Sequence, residues 1–173
     1  MLKEKAAKFV VRLKLKKSNF SQQSFSEVLN KALTFLILMP GNEGDFKYAV
    51  EVINFLVQME KEVTILTYDY RVSLLPLQLR GKTIEHGIRD LNKIDLPNKN
   101  LITRLTKKNF DAILDLNRSE QLFYSYVTVL VDAKIRIGFR KDFADKVYNL
   151  QIANNETNPK ISYKNLLNCL KML

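Results

Sequence analysis

The stretch Thr34-Phe-Leu-Ile-Leu-Met39, followed directly by Pro40-Gly41, decides the fold class of this 173-residue chain. A continuous run of large apolar residues that stops at a turn-forming pair is typical of a strand buried on both faces, as in parallel sheets. Residues 45–59 follow with apolar side chains at helical spacing, and Val63-Thr-Ile-Leu-Thr67 supplies a second strand. Strand, helix, strand in this order predicts a βαβ unit.

The alternation of strands and helices continues after a less regular middle section that holds Pro76, Gly81, Gly87 and Pro97. We expect helices at both 119–131 and 162–173, and strands at 83–86, 110–116, 135–138 and 147–152. Such alternation predicts an α/β fold, a single Rossmann-like domain over residues 26–173 whose mainly parallel sheet is flanked by helices. A short helix over 26–31 would lead into it.

A basic N-terminal arm over residues 1–25 precedes this domain. Residues 1–17 hold seven Lys and Arg against Glu4 alone, which accounts for +6 of the chain's net charge of +10. We expect a short helix here, although the alternation of Val11, Leu13 and Leu15 would also suit a strand. Its basic residues could bind RNA phosphates or anionic lipid headgroups. Alternatively, the segment is a solvated or disordered arm, or its apolar residues pack on the domain or a second copy. The helical reading puts the apolar residues on one side: Leu2, Ala6, Phe9, Val10 and Leu13.

The scarcity of cysteine and histidine narrows the chemistry. One cysteine, Cys169, cannot form an internal disulfide, and one histidine, His86, leaves too few ligands for a usual zinc site. We therefore expect no metal, no cofactor and a cytoplasmic location. The protein is expected to be either soluble or attached peripherally to the inner membrane through residues 1–17. The longest apolar run, 35–40, is far below the roughly 20 residues that span a bilayer.

Three stretches together resemble glycosyltransferase family 9, the heptosyltransferases. They are Gly44-Asp45 after the first strand, Phe110-Asp-Ala-Ile-Leu-Asp-Leu-Asn-Arg-Ser119, and Asp132-Ala-Lys-Ile-Arg-Ile-Gly-Phe139. The similarity covers residues 33–155. It implies the N-terminal, acceptor-side half of a GT-B glycosyltransferase, with Asp45 as the general base on the acceptor hydroxyl.

The resemblance also sets the functional expectation. The family binds its nucleotide sugar in a second domain, which 173 residues are too few to include. We expect a non-catalytic or partner-dependent protein of surface glycan or lipopolysaccharide metabolism, whose partners are a sugar, lipid or phosphorylated ligand, a separate nucleotide-sugar-binding chain, or a second copy in a homodimer. The alternative is a basic module that binds nucleic acid or anionic membrane through residues 1–17.

The loop after the first strand, from Gly41 to Lys47, is the first part of the expected ligand site. Gly41 and Gly44 would let the backbone approach a phosphate, or they are simply turn glycines. Asp45 is either the general base or a cap on the helix that begins there.

The segment after the fourth strand is the second part of the expected site, because parallel strands present their carboxyl ends at one edge. Arg118 could pair with a phosphate or carboxylate beside Asp115. Alternatively, Asn117 or Ser119 caps the next helix and Arg118 lies in solvent.

Overall fold

A parallel sheet forms the centre of the fold, as the alternating pattern predicts. In the computed structural model, which describes residues 2–17 and 28–173, six strands are paired in the order β3-β2-β1-β4-β5-β6, and every pairing is parallel. The α/β, Rossmann-like prediction is confirmed. The strands are β1 (Thr34–Leu38), β2 (Glu62–Tyr68), β3 (Thr83–His86), β4 (Ala112–Asp115), β5 (Ile135–Phe139) and β6 (Leu150–Ile152).

Helices cover both faces of this sheet. The helices α3 and α8 pack on one face, and α5 and α6 pack on the other. Alternate residues of β1 therefore enter two separate cores, Phe35 and Ile37 in one and Leu36 and Leu38 in the other. The α-helices are α1 (Leu2–Lys17), α2 (Val28–Lys31), α3 (Glu43–Gln58), α4 (Leu77–Arg80), α5 (Lys99–Thr106), α6 (Leu122–Leu130), α7 (Ala144–Val147) and α8 (Pro159–Lys171).

Most predicted elements agree with the structure apart from their ends. The strand predicted at 147–152 begins only at Leu150, because residues 144–147 form the single turn of α7. Of the helix predicted at 26–31, Ser26 and Glu27 lie outside the described residues, and the remainder is α2. Two 3₁₀ turns, Asp69–Leu74 and Ile88–Asp90, occupy the irregular middle of the chain.

The basic segment is a helix, α1, so the strand alternative for it is wrong. It packs outside α6 and α7 through Ala7, Val11 and Leu15, all of which are buried. The apolar stripe predicted from spacing is not the buried one, since Leu2, Phe9 and Leu13 are exposed. Both sides of α1 carry apolar residues, and spacing alone could not tell which side the domain would cover.

Candidate functional site

The carboxyl ends of the parallel strands form one edge of the sheet, where Rossmann-like folds bind their ligands. The connections of β1 and β4 leave toward opposite faces, β1 into α3 and β4 into α6. The crevice between these two strands is therefore the topological switch point. We refer to it below as the switch crevice.

Asp45 and Arg118, both predicted site residues, meet at the switch crevice. The Arg118 guanidinium donates two hydrogen bonds to the carboxylate, Nε to Oδ2 at 3.1 Å and Nη2 to Oδ1 at 2.8 Å. The side chains are only 6% and 18% exposed, respectively. The hydrogen bonds that Arg118 donates to Asp45 raise the pKa of the guanidinium, which stays charged. Arg118 does not lie in solvent, so that alternative is wrong, and its partner is a carboxylate of the chain itself. Binding of a ligand's phosphate or carboxylate by Arg118 stays a prediction.

Asp45 is not the cap of α3, so that prediction is wrong. The N-cap is Asn42, whose side-chain Oδ1 accepts the backbone N–H of Gly44 at 2.8 Å. Asp45 is the third residue of the helix, and its side chain turns toward Arg118 instead of the helix backbone. An N-cap residue has extended backbone angles, and Asn42, three residues before Asp45, has them.

Arg118 also ties the start of α8 to the crevice. Its Nη1 donates to the carbonyl oxygens of Glu156 and Thr157 at 3.2 and 3.1 Å. The predicted capping of α6 by Asn117 or Ser119 is wrong, because α6 begins at Leu122 with Gln121 in the N-cap position. Ser119 is exposed in the connection between β4 and α6.

Asp115, at the end of β4, is fully buried and accepts hydrogen bonds on both oxygens. Its Oδ1 accepts the backbone N–H of Asn117 at 2.9 Å and the Nδ2 of the same residue at 2.7 Å. Its Oδ2 accepts from the Lys141 ammonium at 2.7 Å and from the Tyr148 hydroxyl at 2.5 Å. Lys141 is 4% exposed, so the ion pair is withdrawn from solvent. Asp115 and Asn117 therefore form an internal network.

Tyr148 reaches Asp115 only because residue 138 is a glycine. A Cβ atom at Gly138 would lie 2.8 Å from the Tyr148 ring. Burial is the main cause that raises the pKa of Tyr148, which therefore stays protonated and donates to Asp115. Sequence reasoning missed Tyr148 and Lys141. Lys141 had a signal, since a cation just after β5 falls beside an acid that ends the neighbouring β4.

The remaining predicted residues lie apart from this network. The carbonyl of Gly41 accepts a hydrogen bond from the Arg71 guanidinium at 2.8 Å. Gly44 is exposed in the first turn of α3. Lys47 places its ammonium 4.8 Å from the ring centroid of Tyr48 and lines a shallow pocket of about 570 Å³ beside the 3₁₀ turn at 69–74.

An open pocket lies farther along the same edge, at the carboxyl ends of β2 and β3. It encloses about 710 Å³, and we call it the edge pocket. Tyr70 is 64% exposed in it, and its ring is tilted by 32° against that of Tyr68 with the centroids 5.3 Å apart, while Ile88 is 89% exposed. Arg104 donates to Asp90 at 2.6 Å and stiffens one wall. The lining residues are Tyr68, Asp69, Tyr70, Glu85, His86, Gly87, Ile88, Arg89, Asp90, Leu91, Asn100 and Arg104.

His86 forms part of the pocket wall and is 1% exposed. Its ring stacks on Phe123 and is tilted by 46° against Tyr68, with centroids 4.5 Å from each. Its Nε2 lies 3.2 Å from the Tyr124 hydroxyl. Burial lowers the pKa of His86 to about 4. The imidazole is therefore neutral at pH 7 and contributes an aromatic surface.

Arg71 connects the edge pocket with the switch crevice. It is 9% exposed, binds the Gly41 carbonyl, and lies over the rings of Phe46 and Tyr70 at 5.8 and 5.4 Å. The sequence offered little sign of this role, because Arg71 stands in the irregular middle section. The 3₁₀ turn it belongs to is thereby held against the loop after β1.

Comparison with known proteins yields one result: residues 3–173 match the model of a family of unknown function, DUF6913. The chain belongs to this family. Neither the curated proteins nor the solved structures contain a match. The match therefore covers nearly the whole chain, including all but the first residue of α1. Because the function of the family is unknown, the match assigns no chemistry to the site.

Residues 2–17 and 28–173 contain neither a candidate metal site nor a membrane-spanning helix. In these ranges, His, Cys, Asp and Glu side chains do not gather in any group of three or more that could hold a metal ion. Within the same ranges, none of the helices has the length and apolar character needed to cross a bilayer.

Proposed function

We propose that these residues form an acceptor-side, glycosyltransferase-like domain that binds a sugar-containing ligand and does not transfer a sugar by itself. It would serve surface glycan or lipopolysaccharide metabolism. The kinship rests on the resemblance over residues 33–155. It is supported by the sheet, in which the turns after Met39 and Leu116 lie at the same carboxyl edge.

The ion pair of Asp45 with Arg118 is the observation that supports the absence of sugar transfer in this proposal. The residue that the resemblance makes the general base already accepts hydrogen bonds from Arg118 on both carboxylate oxygens. A general base must direct a lone pair at the acceptor hydroxyl within hydrogen-bond distance. Each oxygen keeps a second lone pair, but the Asp45 side chain is only 6% exposed, which leaves an acceptor hydroxyl little access to it. Asp115 is occupied in the same way by Asn117, Lys141 and Tyr148.

The edge pocket supports the binding part. Its volume of about 710 Å³ falls within the range of roughly 300 to 1,000 Å³ that is usual for small-molecule sites. Tyr68 and Tyr70 offer apolar ring faces for the C–H groups of a sugar. Exposed polar side chains surround these rings and match a hydroxyl-rich ligand. They are Asp69, Glu85, Arg89 and Asn100.

The catalytic half of the proposal is tested by a transfer assay. The purified chain is incubated with a panel of nucleotide sugars and lipopolysaccharide core oligosaccharides, with product detected by mass spectrometry. We expect no transfer. Turnover that disappears in Asp45→Asn would overturn the proposal, and turnover that needs a second, nucleotide-sugar-binding polypeptide would replace it with a split enzyme.

The binding half is tested by amide chemical-shift mapping with the same core oligosaccharides as probes. Perturbed amides should fall on residues 68–71 and 85–91. Tyr70→Ala should weaken binding roughly tenfold, since it removes an aromatic face. The matched control is Leu74→Ala in the same 3₁₀ turn, because Leu74 is 53% exposed and lies outside the edge pocket. Equal effects of the two variants, or shifts confined to the switch crevice, would contradict the assignment.

A further inference from the structure

The helix α1 has two apolar sides, only one of which the domain covers. Ala7, Val11 and Leu15 are 3%, 0% and 8% exposed in a cluster with residues of α7. Leu2 and Phe9 are 87% and 62% exposed. A soluble helix normally turns its large apolar residues inward and its polar ones outward. The outer side of α1 therefore needs a separate explanation.

The exposed apolar residues form a stripe opposite the docked side. Leu2, Phe9 and Leu13 are separated by seven and four positions, so they fall on one line along the helix. At about 100° per residue, Val11 is turned by about 200° from Phe9. Docking through Val11 therefore directs Phe9 and its neighbours away from the protein. Leu13, at 44% exposed, belongs to the same outer stripe.

Exposed lysines flank this stripe. Lys5 and Lys16 lie beside it on one side, and Lys14 lies farther round the helix on the other. Lys3, next to Lys14 around the helix, is paired with Asp95 at 3.5 Å. The single acid of the segment, Glu4, is paired with Lys8 at 2.8 Å, so it does not offset the cations along the stripe. We call this surface, centred on Leu2, Phe9 and Leu13, the outer face of α1.

We propose that the outer face of α1 binds the surface of an anionic lipid bilayer. The three apolar side chains enter the boundary between headgroups and acyl chains, and the bordering lysines contact lipid phosphates. An apolar stripe edged with lysines on a helix lying in the membrane plane is the arrangement that suits this interface. Because α1 precedes the stretch that resembles glycosyltransferases, the inference does not depend on the proposed function.

Charge decides between a bilayer and the other occupants. A second copy of the chain would bring one strongly basic face against another, and like charges repel. Nucleic acid would satisfy the lysines, and Phe9 could stack on one base, but Leu2 and Leu13 are aliphatic and would stay exposed to water. Only an anionic surface with an apolar layer beneath it satisfies both the charges and the exposed stripe.

Vesicle co-sedimentation of the full chain tests the proposal. The probes are vesicles of phosphatidylcholine alone and of phosphatidylcholine mixed with phosphatidylglycerol. We expect binding to the mixed vesicles only, weakened by added salt. The double variant Phe9→Ser with Leu13→Ser should lose at least tenfold in partitioning, and Lys5→Glu with Lys16→Glu should lose a similar factor.

The matched control is Leu77→Ser, which removes a side chain that is 77% exposed and distant in sequence from α1. It should bind vesicles like the original chain, and circular dichroism should show that every variant is folded. Equal losses in the control and the α1 variants would overturn the proposal. So would the absence of binding to mixed vesicles, tighter binding to polyuridylate RNA, or a dimer that the Phe9→Ser, Leu13→Ser variant dissociates.

Discussion

The switch crevice and the edge pocket lie at the same edge of one parallel sheet, yet one is closed by the chain's own side chains and the other is open. In the crevice, Asp45 is bound by Arg118 and Asp115 by Lys141. The edge pocket has a volume of about 710 Å³, and exposed Tyr70 is one of the residues that line it. Position at the carboxyl edge is therefore not sufficient to identify a ligand site. The charged groups there must also lack partners within the protein, and in the crevice both carboxylates are bound although the buried Oδ1 of Asn117 has no hydrogen-bond partner.

The largest loss of stability is expected when the Asp115 carboxylate is removed from the switch crevice. Asp115→Ala would leave the Lys141 ammonium buried without its partner, which costs about 3–5 kcal/mol of unfolding free energy. Urea denaturation followed by circular dichroism measures this cost. Adding Lys141→Met to Asp115→Ala should restore part of it, since the uncompensated charge is then removed.

Asp111, just before the other end of β4, supplies the matched control. Its carboxylate accepts hydrogen bonds from the backbone N–H groups of Leu33 and Thr34, both at 2.9 Å, but at an exposed position. Asp111→Ala should therefore cost only about 1 kcal/mol. If Asp115→Ala cost no more than Asp111→Ala, the Asp115 network would not be closed to solvent and the comparison would fail.

A second prediction concerns His86 in the wall of the edge pocket. Its folded-state pKa of about 4 lies below the roughly 6.5 of an unfolded chain. Between these two pH values His86 binds a proton in the unfolded state but not in the folded state. The stability that the neutral imidazole contributes is therefore fully present above pH 6.5 and is lost as the pH falls toward 4. The free energy of unfolding should fall by about 3 kcal/mol in total over this range.

Urea denaturation across this pH range checks the prediction, with His86→Phe as the comparison. The phenylalanine keeps an aromatic ring and cannot take up a proton, so the stability difference between the two proteins should shrink as the pH falls. The lost contact with Tyr124 is a constant cost and does not change the slope. Parallel pH curves for the two proteins would show that His86 titrates in solvent and that the pocket wall is open around it.

Breaking the ion pair of Asp45 and Arg118 should cost less stability, because Arg118 is partly exposed. Asp45→Asn keeps the shape and removes the charge, and should cost about 2 kcal/mol. A double-mutant cycle with Arg118→Met measures the coupling. Asp45→Asn should also speed amide exchange at the start of α8, which Arg118 holds. A coupling close to zero would mean that the crevice is not closed by this pair.

The fold was largely predictable because its signals are local. The run at Thr34–Met39 is almost wholly apolar, and the run at Phe110–Leu116 is apolar apart from Asp111 and Asp115, so both indicate buried strands of suitable length. They became the neighbouring strands β1 and β4. Turns and helical spacing between them left few arrangements other than a parallel sheet.

The candidate site was predictable only in part. Its residues were placed at the correct edge, but their partners were not foreseen, since Asp45 and Arg118 are 73 positions apart. The capping role went to Asn42 because the start of α3 depends on where the loop after β1 turns. The edge pocket lies in the middle section, where short 3₁₀ turns have no periodic signature.

The sequence by itself determined the parallel α/β architecture, the absence of a zinc ligand set and the basic character of α1, because these follow from composition and from the local spacing of apolar residues. Tertiary structure alone decided which side of α1 is buried and which carboxylates are paired. Those outcomes depend on contacts between segments far apart in the chain. The free energy of burying an apolar side or a charge depends on what the rest of the fold places beside it.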